Sequence, residues 1–135
     1  MRAERLSRLQ GVYAIVDGGS TATPLALVAA FLEGGARVVQ LRLKDAPAGD
    51  LFRIAVESVA LCRVRGALLL VNDRPDVARC ADADGVHLGQ DDDGIERALE
   101  AGLLLGVSVW DVGQAIAAER AGARYLGAGP VYETP

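Results

Sequence analysis

The residues best suited to do chemistry stand in short, separated clusters. Gln40-Leu41-Arg42-Leu43-Lys44 places an amide and two cations at alternate positions. On an extended strand alternate side chains share a face, so Gln40, Arg42 and Lys44 point together. Such a face suits a phosphate or diphosphate; it equally describes a basic strand end paired with nearby helix acids. Val71-Asn72-Asp73 and His87-Leu88-Gly89-Gln90-Asp91-Asp92-Asp93 each end a short apolar run in acids. Acids at two neighbouring strand ends, beside cations, can hold a Mg²⁺ that bridges to phosphate oxygens, because Mg²⁺ takes few carboxylates and keeps much of its water. The same acids also fit helix caps and turns. His87 is the only histidine, and a pocket-lining or core hydrogen-bonding role suits it better than that of general base. Ser108 has no histidine or acid beside it in sequence to activate it, so it reads as a hydrogen-bonding group. Gly127-Ala128-Gly129-Pro130 then lets a ligand approach the backbone, with the Thr134 hydroxyl just beyond.

These clusters need a scaffold that brings strand ends together. Apolar runs recur at 12–16, 38–43, 68–71, 85–88, 103–109 and 125–128, with helix-like segments between them. Thr23-Pro24 is a cap and first-turn signal for a helix that stops at Gly34-Gly35. Asp50 is the expected cap of the next helix, ending near Gly66, and Asp93 and Asp111 are the expected caps after the fourth and fifth strands. Strict alternation of strand and helix implies parallel strands and right-handed crossovers. Strand parity then separates two α/β architectures. A doubly wound sheet is apolar on both faces, but here Gln40/Arg42/Lys44, Gly85/His87/Gly89 and Gly106/Ser108 oppose branched residues. One small or polar face fits a lumen, hence a TIM-type (β/α) barrel with about six of its eight βα units and a site at the C-terminal rim.

Composition agrees with one globular domain over residues 1–135. The chain has 135 residues, 51% hydrophobic and 24% charged, with formal net charge −4. Half the chain being apolar excludes disorder, and the acidic balance argues against a broad nucleic-acid face. No apolar stretch is long enough to span a membrane, and the charged start does not suit a signal peptide, so a cytoplasmic protein is expected. Cys62 and Cys80 lack metal-site spacing and are expected to be reduced and buried.

The ordered set QLRLK, VNDRPDVA, ADGVHLGQDD, LGVSV and RYLGAGPVYET resembles the thiamine phosphate synthase family from Val12 onward. The resemblance implies a barrel enzyme, a transferase of thiamine biosynthesis. An aminopyrimidine diphosphate loses diphosphate, and the nitrogen of a thiazole phosphate attacks the methylene carbon. It implies that Gln40, Arg42 and Lys44 bind the pyrimidine diphosphate with Asn72 beside it. Asp73 and Asp92 would hold Mg²⁺, Ser108 would contact the diphosphate, and Thr134 the thiazole phosphate. No protein nucleophile is required, since cations and Mg²⁺ stabilise the leaving diphosphate. Two departures stand out. Val109-Trp110 replaces a small polar pair, and the two further strand–helix units that the resemblance implies, which carry a glycine-rich phosphate site, are not among these 135 residues. Six units leave open edge strands, which invites a homo-oligomer or a partial barrel. The alternatives are a non-catalytic diphosphate and Mg²⁺ half-site module and the related thiazole tautomerase, the latter disfavoured by Asn72-Asp73 and Gln90-Asp91-Asp92.

Overall fold

The computed structural model describes the backbone of residues 2–90 and 92–135, and the side chains of residues 4–90 and 93–135. Six parallel strands form one sheet in the order β1-β2-β3-β4-β5-β6. They are β1 (Tyr13–Asp17), β2 (Val38–Arg42), β3 (Leu68–Asn72), β4 (Gly85–Leu88), β5 (Leu104–Val109) and β6 (Tyr125–Ala128). Helices α2 (Pro24–Glu33), α3 (Ala48–Val64), α4 (Pro75–Cys80), α5 (Asp92–Glu100) and α6 (Val112–Ala121) are the crossovers. A spatial order identical to the chain order has no switch point, which excludes the doubly wound alternative.

The period-2 pattern sorts the strands into two faces. Val16, Val39, Leu41, Leu69, Val71, Val86, Leu88, Leu105 and Val107 point outward into the core shared with the helices. Tyr13, Val38, Leu68, Leu70, Leu104 and Tyr125 form a second, smaller apolar cluster on the other face. The strand side chains that pack against the crossover helices α2 to α6 thus lie on one side of the sheet. The sheet is also curled. Six flat strands would hold β1 and β6 about 24 Å apart, yet the hydroxyls of Tyr13 on β1 and Tyr125 on β6 are 2.7 Å apart. The expected partial (β/α) barrel is therefore what forms, with β1 and β6 as its two edges.

Local signals explain most of the boundaries. The Thr23 hydroxyl accepts from Ala26 N–H (3.2 Å), and Pro24 opens α2. Asp111 caps α6 by accepting from Gln114 N–H (2.7 Å), and Gly122 closes it at φ 111°. Four details differ from expectation. Asp50 lies inside the first turn of α3, whose cap is Pro47 without a side-chain bond; the fixed proline φ starts that helix three residues early. Asp93 likewise falls within α5 rather than before it. Cys62 is buried, but Cys80 is exposed at the end of the short α4. A further helix, α1 (Arg2–Ser7), precedes β1. Its Leu6, together with Leu9, packs beneath the inner face against Val38, Leu68 and Leu104, and Arg5 pairs with Asp84 at 3.7 Å. Leu6 and Leu9 thus cover the lower end of the inner face.

Candidate functional site

Register turns the strand pattern into layers. Ile15, Gln40, Leu70, Gly85 and Leu104 are successive Cα partners around the inner face, and Asp17 is paired with Arg42 one layer higher. On the far side of that layer Asn72 pairs with His87, His87 with Gly106 and Gly106 with Tyr125. The lower layers are therefore mostly apolar, and the layer at the strands' C-terminal ends carries an acid, a guanidinium, an amide and an imidazole. The expectation that a whole parity would be small or polar holds only for this upper half. Leu68, Leu70 and Leu104 share the parity but fill the floor.

Two contiguous clefts open at that rim. One, of about 680 Å³, is walled by Asp17, Arg42, Lys44, Asp50 and Arg53. The other, of about 280 Å³, is walled by Lys44, Asn72, Asp73 and Arg74. Lys44 belongs to both, so it stands between them. Arg74 is not available as a free cation, since its guanidinium grips Asp76 through Nε–Oδ1 (3.0 Å) and a second N–H to Oδ2 (2.8 Å). That contact holds the Asp76 carboxyl below its ordinary range. Arg42 and Lys44 form no ion pair among the described residues. The expectation of a merely basic strand end neutralised by helix acids is thereby set aside.

Asp73 is held in an unusual backbone state. Its φ is +61°, a region open to Asp at some cost, and its N–H donates to the carbonyl of His87 (3.0 Å). The carboxylate is exposed beside Lys44 and forms no ion pair among the described residues. As a hard oxygen donor with open space before it, Asp73 fits one position of a Mg²⁺ shell. Asp92, the other expected ligand, has a side chain outside the described residues, as does all of Asp91.

Across the lumen runs a continuous chain of hydrogen bonds. Gln40 Nε2 donates to Tyr13 Oη (2.7 Å), Tyr13 Oη lies 2.7 Å from Tyr125 Oη, and Tyr125 Oη lies 2.7 Å from His87 Nδ1. His87 Nε2 is in turn 2.7 Å from Ser108 Oγ, and the Gln90 side-chain amide donates to the Ser108 carbonyl (2.8 Å). Burial raises the pKa of both phenols and lowers that of His87, against a smaller opposing pull from Asp73. Both tyrosines are thus protonated and His87 neutral near pH 7. Gly106 makes the arrangement possible, since a Cβ there would overlap the Tyr125 ring.

The expected site residues are therefore split. Arg42, Lys44, Asn72 and Asp73 line the rim clefts. Gln40 does not join them; it is 3% exposed and bonded to Tyr13. His87 lines the lumen as expected. Ser108 has no histidine beside it in sequence but meets His87 from the adjacent strand. Thr134 lies in the exposed segment after β6, apart from both clefts. Trp110 is 68% exposed and borders a groove with Leu126 and Ala128 on the helix side of β6, not the rim clefts. Tyr13 and Tyr125 were missed. Both fall on the inward parity of their strands, which was the available signal, but aromatic strand residues read equally well as plain core.

Comparison with known proteins places this geometry. A family model described as thiamine monophosphate synthase matches residues 12–135. The chain is 44% identical over 115 residues to thiamine-phosphate synthase of Chlorobium luteolum, covering 83% of this chain and 54% of the relative. It is 45% identical over 133 residues to thiamine-phosphate synthase of Anaeromyxobacter dehalogenans, covering 96% and 58%. Among solved structures, thiamine phosphate pyrophosphorylase from Pyrococcus furiosus superposes with a TM-score of 0.84 at 35% identity, over 96% of this chain and 64% of the other. Dihydropteroate synthase from Xanthomonas albilineans shares the fold alone, at a TM-score of 0.60 and 18% identity. The chain spans little more than half the length of these two curated relatives.

Proposed function

Because the chain belongs to the thiamine monophosphate synthase family, we propose that its C-terminal rim binds an aminopyrimidine diphosphate for transfer of the pyrimidine methylene to a thiazole phosphate. The observation that carries this reading is the pair of cations, Arg42 and Lys44, which form no ion pair among the described residues and line two joined clefts, the smaller of them with Asp73. A diphosphate spanning the clefts would meet Lys44 from either side. The pyrimidine would sit beside the diphosphate, toward Asn72 and His87 on the inner face, with Ser108 reaching the diphosphate from the exposed end of β5.

The chemistry follows from charge. Breaking the carbon–diphosphate bond leaves negative charge on the diphosphate, so fixed cations at that end lower the barrier more than they tighten the ground state. Mg²⁺, held by Asp73 and Asp92, would supply further neutralisation of the same oxygens. Arg42 and Lys44 orient the leaving group. Thr134 is the proposed contact for the thiazole phosphate. His87 and Ser108 act as hydrogen-bonding groups, not as a covalent pair.

Calorimetry with the aminopyrimidine diphosphate, with and without Mg²⁺, tests the site, and product formation with thiazole phosphate is measured separately. Arg42→Ala and Lys44→Ala are each expected to weaken binding by about tenfold, roughly 1.4 kcal/mol. Asp73→Asn is expected to abolish the Mg²⁺-dependent gain. Binding without turnover would mark the chain as a half-site module. Binding that ignores both Mg²⁺ and these substitutions would end the proposal.

A further inference from the structure

The contact between Ser108 and His87, with Tyr125 on the other ring nitrogen, has the outline of a nucleophile, a base and an orienting group. Which ring nitrogen carries the proton decides whether it can work as one. We infer that Tyr125 is a positioning residue: by donating to Nδ1 it fixes His87 in the form protonated at Nε2, so that Ser108 accepts from the imidazole and turns its own hydroxyl proton toward an anionic ligand.

The polarity follows from the far end of the chain. The Gln40 Nε2 group only donates, so Tyr13 Oη accepts at that contact and must place its own proton elsewhere. The partner in reach is Tyr125 Oη. Tyr125, accepting there, donates onward to His87 Nδ1. A neutral imidazole with an unprotonated Nδ1 carries its proton on Nε2, which faces Ser108 Oγ. The opposite polarity would leave the Tyr13 phenol proton with no acceptor inside the lumen, a hydrogen bond unmade where water does not replace it. Protonated at Nε2, His87 has no lone pair facing Ser108 and cannot take its proton. Ser108 is exposed on its rim side, so its free hydroxyl proton is available to an incoming oxyanion. That the oxyanion is a diphosphate rests on the function proposed above; the polarity of the chain does not.

A single histidine makes the test direct. Nitrogen-15 spectra of the labelled chain are expected to show one imidazole with Nε2 protonated and Nδ1 bare. Tyr13→Phe removes the proton that Tyr125 has to accept, which frees the Tyr125 hydroxyl to accept from the ring instead, so the Nδ1-protonated form should rise there. Tyr125→Phe removes the donor at Nδ1, and the minor, Nδ1-protonated form should rise severalfold. A parent protonated at Nδ1, or an unchanged pattern in Tyr125→Phe, overturns the inference, and the parent spectrum alone is decisive should the variant fold poorly. A fluorophosphonate should leave Ser108 unlabelled; labelling overturns its role as donor. With Mg²⁺ and inorganic pyrophosphate as probe, Ser108→Ala should bind about tenfold more weakly than the parent. A parent that binds no pyrophosphate but shows the Nε2-protonated ring supports the hydrogen-bond chain while overturning the diphosphate reading.

Discussion

Replacing Gly106 by alanine probes the lumen more sharply than deleting any of its polar groups. A Cβ at this position would fall on ring and hydroxyl atoms of Tyr125, so the tyrosine must leave. Forcing a methyl into a filled core costs about 1–3 kcal/mol. Displacing Tyr125 also breaks its bonds to Tyr13 and His87, at about 1 kcal/mol each. Against this, alanine in a strand recovers about 0.5–1 kcal/mol of backbone entropy. The net expectation is a loss of roughly 2–4 kcal/mol, read as a drop in urea midpoint at constant slope. The control is the same substitution in a Tyr125→Ala background. There the added methyl enters vacated space and only the backbone-entropy gain of up to about 1 kcal/mol remains, so the two substitutions should couple by at least about 2 kcal/mol. Gly106→Ala costing less than about 0.5 kcal/mol, or the two substitutions adding independently, would refute the packing on which the hydrogen-bond chain depends.

The two cysteines should separate by chemistry. Cys80 should react with a thiol reagent in the native protein, whereas Cys62, its thiol pushed up to about 12 by burial and then by Asp84, should react only on unfolding; fast native labelling of both would contradict the helix packing of α3. Burial lowers the His87 pKa, so the unfolded chain takes up a proton that the folded chain resists. The stability contributed by neutral His87 is complete above the unfolded value of about 6.5 and declines as pH falls toward the lower folded value, by at most about 1.4 kcal/mol per pH unit. Urea midpoints at pH 7.5 and 5.5 should therefore differ more for the parent than for His87→Gln, and equal differences would count against a buried neutral ring.

The strands and the side on which helices pack were legible because both are written in local alternation. Leu41 and Val71 point outward and Gln40 and Arg42 inward for the same reason that a pleat alternates. Caps were legible where a side chain does the capping, as at Thr23 and Asp111, and not at Pro47, where backbone geometry alone starts the helix. The rim cations were visible as residues spaced two apart. Gln40 shares their spacing but sits one layer lower, and layer height is set by register between strands, which no single segment encodes. The same limit hid the partner of Ser108, since His87 is 21 residues away and meets it only across the β4–β5 pairing. Tyr13 and Tyr125, 112 residues apart at opposite edges of the sheet, touch only because the sheet curls.

Amide chemical shifts during titration with Mg²⁺ and pyrophosphate would locate the ligand residue by residue. The rim account predicts the largest changes at Arg42 to Asp45, Asn72 to Arg74 and Ser108, with the opposite end of the lumen, around Leu6, Leu104 and Arg124, unmoved. Perturbations centred on that lower end, with Lys44 and Asp73 silent, would contradict it.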